Sequence, residues 1–308
     1  MRSFKGSFEM VGQRVGMMAA MVVGVAMVVG GVAVMGGCDQ PRVTGELPAF
    51  AELRDRYNAR TAQVEQLWAR TVVEIRWEDE RGRRHFEQGD GPLILRMPSE
   101  LALAVGKLGN TMYWVGGDAE RFWFFDLNPP NGEPSSATVG RHEDIARTGT
   151  EELPVPVRPD QLLHLLGVKD MPEPADGQVP QVTREGGMDV VRIAADAEGE
   201  AWWRYELDPA NNHLPTRIVL LDAEGQEVVA SALSRYQPLE REGVPPGGWP
   251  YVPTRIEITT PLTERTRMTL FMADPTDGKA RDRVREAQFD FERLVEMLNP
   301  DEVREVQP

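Results

Sequence analysis

Few side chains in this sequence are equipped for chemistry. Cys38 is the single thiol in 308 residues, so one chain can build no disulfide, Cys-ligated zinc site or iron–sulfur centre. Beyond residue 37 the serines are Ser99, Ser135, Ser136, Ser231 and Ser234, and none stands in a G-x-S-x-G elbow. His85, His142, His164 and His213 are scattered. His142-Glu143 opens like a zinc-protease motif, but Ala146 occupies the place of the second ligand. Asp126-Leu127-Asn128 starts as a calcium loop would, yet Pro130 takes the next ligand position and Gly132 falls one place late. That segment reads as a polar turn. Asp118 and Glu120 beside the Phe122–Phe125 run are the best carboxylate pair, because carbohydrate hydrolysis combines two acids with stacking rings. Acids flanking a hairpin turn are also the ordinary solvated case. No catalytic residue, metal or other cofactor is assigned, and the chain reads as non-enzymatic.

The setting of Cys38 is more informative. Arg2, Lys5 and Arg14 give a positive start, and Val15–Gly37 carries no charge over 23 residues. Met35-Gly36-Gly37 leads directly into Cys38. A basic n-region, an apolar h-region and small residues before a cut make a secretory signal. With cysteine next, the first ~40 residues resemble a bacterial lipoprotein signal, although Met35 stands where Leu is usual. That resemblance implies cleavage after residue 37 and acylation of Cys38 by palmitate or a similar chain. An uncleaved anchor is the alternative, because 23 uncharged residues are long enough to span a bilayer. Either reading places the rest of the chain outside the cytoplasm, facing the periplasm. Asp39 resembles an inner-membrane retention signal, which leans the assignment to that membrane.

The 271 residues after the signal hold 31 Lys or Arg against 48 Asp or Glu, a net charge of −17. Such acidity excludes a nucleic-acid partner and repels anionic headgroups, so acylated Cys38 has to supply the membrane attachment. Residues 38–48 read as a polar tether, 49–298 as one continuous folded domain and 299–308 as a tail. Lys169–Pro180 is the longest surface excursion expected in that domain.

Apolar periodicity predicts a first helix from Pro48 to Leu67, with Phe50, Leu53, Tyr57, Val64 and Leu67 on one stripe. A short helix is predicted over Pro159–Leu166, stopped by Gly167. A third follows Val284, Ala287, Phe291, Leu294, Val295 and Leu298, although Phe289–Phe291 fits a strand leading into a shorter helix equally well. Between them the pattern has period two over about eleven strands. The connections are short and rich in Gly, Asn and Asp, which permits hairpins and excludes parallel crossovers. The fold class is α+β, with an antiparallel meander. Met112–Val115 and Phe122–Phe125 leave no polar face, so their second face meets either a covering helix or a lipid-like ligand. Trp202 and Trp203 must point to opposite faces of one strand.

The order of these elements resembles the periplasmic lipoprotein-carrier superfamily, the LolA/LolB-like fold. The segments that carry the resemblance are Tyr57–Arg60, Gly89–Pro98, Met112–Leu127, Arg217–Tyr236 and the closing pair around Pro253–Pro261 and Thr266–Asp274. It spans about residues 49–292 and is one of pattern rather than of specific motifs. It implies an unclosed half-barrel with an N-terminal helix and short covering helices, whose hollow holds acyl chains of lipids or lipoproteins. Candidates for the lining are Trp77, Leu95, Trp114, Trp123, Phe125, Trp203, Ile218, Leu220, Ile258 and Phe271. The competing reading is an envelope lipoprotein that binds only other envelope proteins.

Overall fold

A computed structural model describes residues 45–306, apart from 79–81, 130–131, 145–156, 175, 197–198, 261–265 and 280–281. The signal segment, Cys38, Asp39 and most of the tether lie outside the described residues. Arg42–Pro308 forms one compact unit.

Fourteen strands make a single sheet among the described residues. The first six are β1 (Gln66–Glu78), β2 (Arg84–Arg96), β3 (Glu100–Lys107), β4 (Asn110–Gly117), β5 (Arg121–Asp126) and β6 (Ser136–Arg141), each antiparallel to the last. Residues 142–180 then carry the chain to the opposite edge. There begin β7 (Gln181–Glu185), β8 (Met188–Ala194), β9 (Ala201–Asp208) and β10 (Leu214–Asp222). They continue through β11 (Glu227–Pro238), β12 (Tyr251–Thr260) and β13 (Thr266–Thr276). This second meander returns until β13 lies antiparallel to β1, with Val73 opposite Leu270. Finally β14 (Glu302–Glu305) pairs parallel to β6. β14 and β7 are the two ends of the sheet, which stays unclosed.

The unclosed antiparallel half-barrel is therefore the architecture observed, with fourteen strands rather than about eleven. The three additional strands are β6, β7 and β14. Each has only one or two apolar side chains, because each lies at or beside an edge where little core is available to cover it. Glu302–Glu305 are consequently part of the sheet rather than of a tail.

Helix α1 (Phe50–Thr61) is shorter than its apolar stripe. Leu53, Tyr57 and Thr61 are buried along it, four residues apart. The Thr61 hydroxyl turns back to the Tyr57 and Asn58 carbonyls and also meets Asp170. Val64 and Leu67 stay in the core as the chain turns into β1, where Gln66 already pairs with Arg96. Pro48 precedes the N-cap, Ala49, and so lies just outside the helix. Helix α2 (Pro159–Leu165) ends within one residue of its expected stop, and Gly167 takes the left-handed conformation that ends it, at φ +69°. Helix α3 (Phe291–Leu298) is the shorter alternative: the Asp290 carboxylate accepts from the Arg293 N–H at 3.0 Å and starts it there.

Strand register assigns the two faces. The inner face carries Leu67, Ala69 and Val73 of β1, and beside them Leu93, Leu103, Leu270 and Ile256, all in one buried cluster with α1 and α2. α1 is fastened to the crossing segment. Asn58 exchanges two hydrogen bonds with the Met171 backbone, at 2.9 and 3.2 Å, and Arg60 donates to the Gly167 carbonyl at 2.7 Å. Val168 and Met171 are accordingly buried, so Met171 anchors the start of Lys169–Pro180 in the core while Asp170 and Glu173 stay exposed.

A charged cluster ties the β7 edge to α1. Asp189 on β8 is fully buried. Its Oδ1 accepts from Arg184 at 2.8 Å and its Oδ2 from His213 Nε2 at 3.1 Å. Arg56 of α1 faces His213 Nδ1 at 3.2 Å. An arginine can only donate, which fixes His213 as the tautomer protonated on Nε2. Removing one partner from a buried ion pair leaves the others uncompensated. Asp189→Ala is expected to cost about 3–5 kcal/mol in urea unfolding. A loss below ~1 kcal/mol would mean that the pair behaves like a surface one.

Candidate functional site

The trough on the inner face is filled at one end and open at the other. Leu162, Leu163 and Leu165 of α2, with Val168 and Met171, occupy the filled end, where α2 lies between β4 and β10. Elsewhere, along β1 from Trp68 to Trp77, lies an open cavity of about 1440 Å³, bordered by Val73, Ile75 and Trp77 of inward register and also by Arg70, Val72 and Phe86 of outward register. Small-molecule pockets are typically ~300–1,000 Å³, so this one is roomy.

Two glycines of β2 shape it. Gly89 and Gly91 lie opposite Val73 and Thr71, hence on the inner face. A Cβ on Gly91 would run into the Ala104 carbonyl, and one on Gly89 would meet the Val105 side chain and the Gly106 carbonyl. With no side chain at either place β2 can lean onto β3, and the wall there is bare backbone. Around it the register directs Val73, Ile75 and Trp77 of β1, Leu103 and Val105 of β3, Val115 of β4, Phe124 of β5 and Met268 of β13 inward. The lining is mainly apolar.

Polar groups gather on one side. Tyr113 of β4 stacks on Phe124 with ring centroids 5.9 Å apart. Burial, followed by the neighbouring charges of Glu87 and Asp126, pushes its phenol up to about 12. Asp126 lies directly opposite Tyr113 in the β4–β5 register. Burial also raises the Asp126 carboxyl, against one hydrogen bond from the Asn128 N–H at 3.2 Å.

The ten candidate lining residues divide between the faces. Trp77, Leu95, Trp203, Ile218, Leu220 and Ile258 have inner-face register. Of these Trp77 borders the cavity, while the other five are packed in the main core, Trp203 and its neighbours beside α2. Trp114, Trp123 and Phe125 are on the outer face beneath α3, with Phe125 and Phe291 ring centroids 5.7 Å apart. A covering helix therefore occupies the second face of β4 and β5. Phe271 borders the cavity, but its register with Val72 turns the side chain outward, where Arg255 lies over the ring at 5.9 Å. Trp202 is also on the outer face, under Arg192 at 5.0 Å. Tyr113, Ile75, Val105 and Met268 were not singled out in the sequence. Their period-two spacing marks them as half-buried strand residues without saying which face is hollow.

The carboxylates considered for hydrolysis lie elsewhere. Asp118 Oδ1 accepts from the Glu120 and Arg121 N–H groups at 2.8 and 2.7 Å and so caps the β4–β5 turn. Glu120 is exposed. His142 contacts the Asp118 carbonyl through Nε2 at 3.0 Å.

His164 marks the boundary of the filled end. It stacks on Trp203 at 4.6 Å, and Tyr205 Oη lies 3.4 Å from its Nδ1. Burial, aided by the charge of Lys169, lowers its pKa from 6.5 to about 3. The unfolded chain takes up this proton near pH 6.5 while the folded chain refuses it, so stability falls as pH drops from about 6.5 toward 3. His164→Asn should flatten stability against pH in that window, by up to ~1.4 kcal/mol per pH unit. Chemical denaturation at pH 7, 6, 5 and 4 reads this, and parallel curves for the two proteins would refute it.

No family model and no curated protein sequence matches the chain. Solved structures do resemble it. A LolA superfamily protein from Nitrosomonas europaea is 9% identical, with a TM-score of 0.44, over 73% of this chain and 91% of that one. An outer membrane lipoprotein-sorting protein domain from Vibrio parahaemolyticus is 11% identical, with a TM-score of 0.49, over 79% and 97%. A DUF1329 family protein from Desulfovibrio piger is 12% identical, with a TM-score of 0.44, over 79% and 98%. These are proteins the chain is similar to in strand arrangement, and the likeness transfers no residue or activity. The half-barrel itself rests on the strand register above.

Proposed function

We propose that this protein is a non-catalytic envelope lipoprotein that holds acyl chains of lipids or lipoproteins in the open end of its half-barrel. In this reading residues 1–37 are a cleaved signal, acylated Cys38 attaches the chain to a membrane facing the periplasm, and residues 38–48 tether a domain that begins near residue 49. The observation that carries it is the 1440 Å³ cavity with its mainly apolar lining, in a sheet that has no disulfide to brace it. Burial of each methylene there contributes about 0.8 kcal/mol, with little discrimination of chain length. The filled end favours a second reading, in which the trough is a closed core and the protein serves only other envelope proteins.

The two differ in what the open end takes up. Residues 42–308 should bind dodecyl maltoside below its micelle concentration, read by tryptophan emission and by native mass spectrometry. Ile75→Trp, which places an indole in the cavity, should weaken that binding by at least about tenfold while the protein stays folded. Equal binding by both proteins would remove the cavity from the account. Binding by neither would favour the second reading.

A further inference from the structure

The polar groups at the cavity mouth are unevenly charged. Glu87 lies opposite Ile75 and Asp126 opposite Tyr113, so both carboxylates have the register of the inner face. Tyr113 meets Glu87 through a side-chain hydrogen bond and both carboxylates through their charge. Most charges on this sheet are paired: Arg217 with Glu227 at 2.7 Å, Arg204 with Glu185 at 2.8 Å, Arg70 with Asp274 at 2.7 Å. Glu87 and Asp126 have no such cation among the described residues. Lys107, at the exposed end of β3, and Arg70, paired with Asp274, are the cations bordering the cavity among the described residues. Two carboxylates without counter-ions thus sit at the edge of an apolar space walled by Tyr113 and Trp77.

We propose that this mouth selects amphiphiles whose head group is an ammonium over those whose head group is an anion. The proposal rests on the reading that the cavity holds acyl chains, and names which ones. Chains inserted into the cavity bring their head group to the rim. An ammonium there completes the charge of Glu87 and Asp126 and can lie against an aromatic face, which attracts cations through the ring quadrupole. A carboxylate or a phosphate with no amine meets two like charges, Asp126 half-buried and Glu87 exposed, and is disfavoured. With a phosphoethanolamine head, Lys107 is placed to take the phosphate. A diacyl phospholipid and a single-chain amine share the chemistry that is recognised.

The test uses the compact unit 42–308 and five probes below their micelle concentrations, followed by tryptophan emission at pH 7.5 and 0.15 M salt. Dodecyltrimethylammonium is compared with dodecanoate, and dioctanoyl phosphoethanolamine with dioctanoyl phosphoglycerol. Dodecyl maltoside is the neutral reference. The ammonium member of a pair should bind at least about tenfold tighter than its anionic counterpart. The double variant Glu87→Gln, Asp126→Asn should bring the ratio below about threefold and leave the maltoside unchanged, which also reports that the fold is intact. Selectivity in the diacyl pair alone supports a phospholipid as the source, and in the single-chain pair alone a free amphiphile. Equal or reversed preference with maltoside binding intact overturns the proposal while sparing the acyl-binding reading. Failure of all five probes overturns both.

Discussion

Everything in this molecule hangs on β1 pairing along its length with β13. Each of the two meanders is built from neighbouring hairpins, and separately each would be a curved ribbon with two open edges. The pairing that sets Val73 opposite Leu270 and Ile75 opposite Met268 merges them, and the inner-face residues of both halves become one buried cluster. Contacts so distant in sequence cost loop-closure entropy that only the burial they complete can offset. α1 and the crossing segment then fasten that cluster from inside, through Asn58, Arg60 and the α2 leucines.

Because the sheet does not close, its two faces carry different burdens. The inner face is filled by α1 and α2 over one half and left hollow near Gly89 and Gly91. The outer face of β4 and β5 is covered by α3, whose Phe291 and Leu294 meet Trp123 and Phe125. Gly116 leaves room for the Trp123 indole, which sits where a Cβ would be. The indole nitrogens of Trp114 and Trp123 are buried without an acceptor, an arrangement that costs ~1–3 kcal/mol for each donor. The aromatic burial beneath α3 has to exceed that cost.

The sequence made the strands of the interior legible and the edges illegible. Val73-Glu74-Ile75-Arg76-Trp77 alternates because one face meets core and the other water, and period two reports that difference directly. Gln181–Glu185 and Glu302–Glu305 face little core on either side, so the same signal vanishes although the backbone pairing is as real. For the site, the sequence could tell that Met112–Val115 and Phe122–Phe125 are apolar on both faces. It could not tell that the tryptophans Trp114 and Trp123 lie under a helix while Tyr113 and Phe124 face the trough. A period-two pattern is symmetric between faces. Only the distant helices, placed by tertiary packing, break that symmetry.

Among the described residues β14 is the one strand that pairs in parallel with its neighbour strand, and it lies on β6 after α3 has crossed the outer face. During synthesis β6 therefore emerges long before the segment that will cover its outer margin. Until then its amide and carbonyl row is an open template for another chain's strand. A nascent molecule halted before residue 302 would hold a nearly complete sandwich of sheet and helix with one sticky border. A cell's quality control would meet that border first.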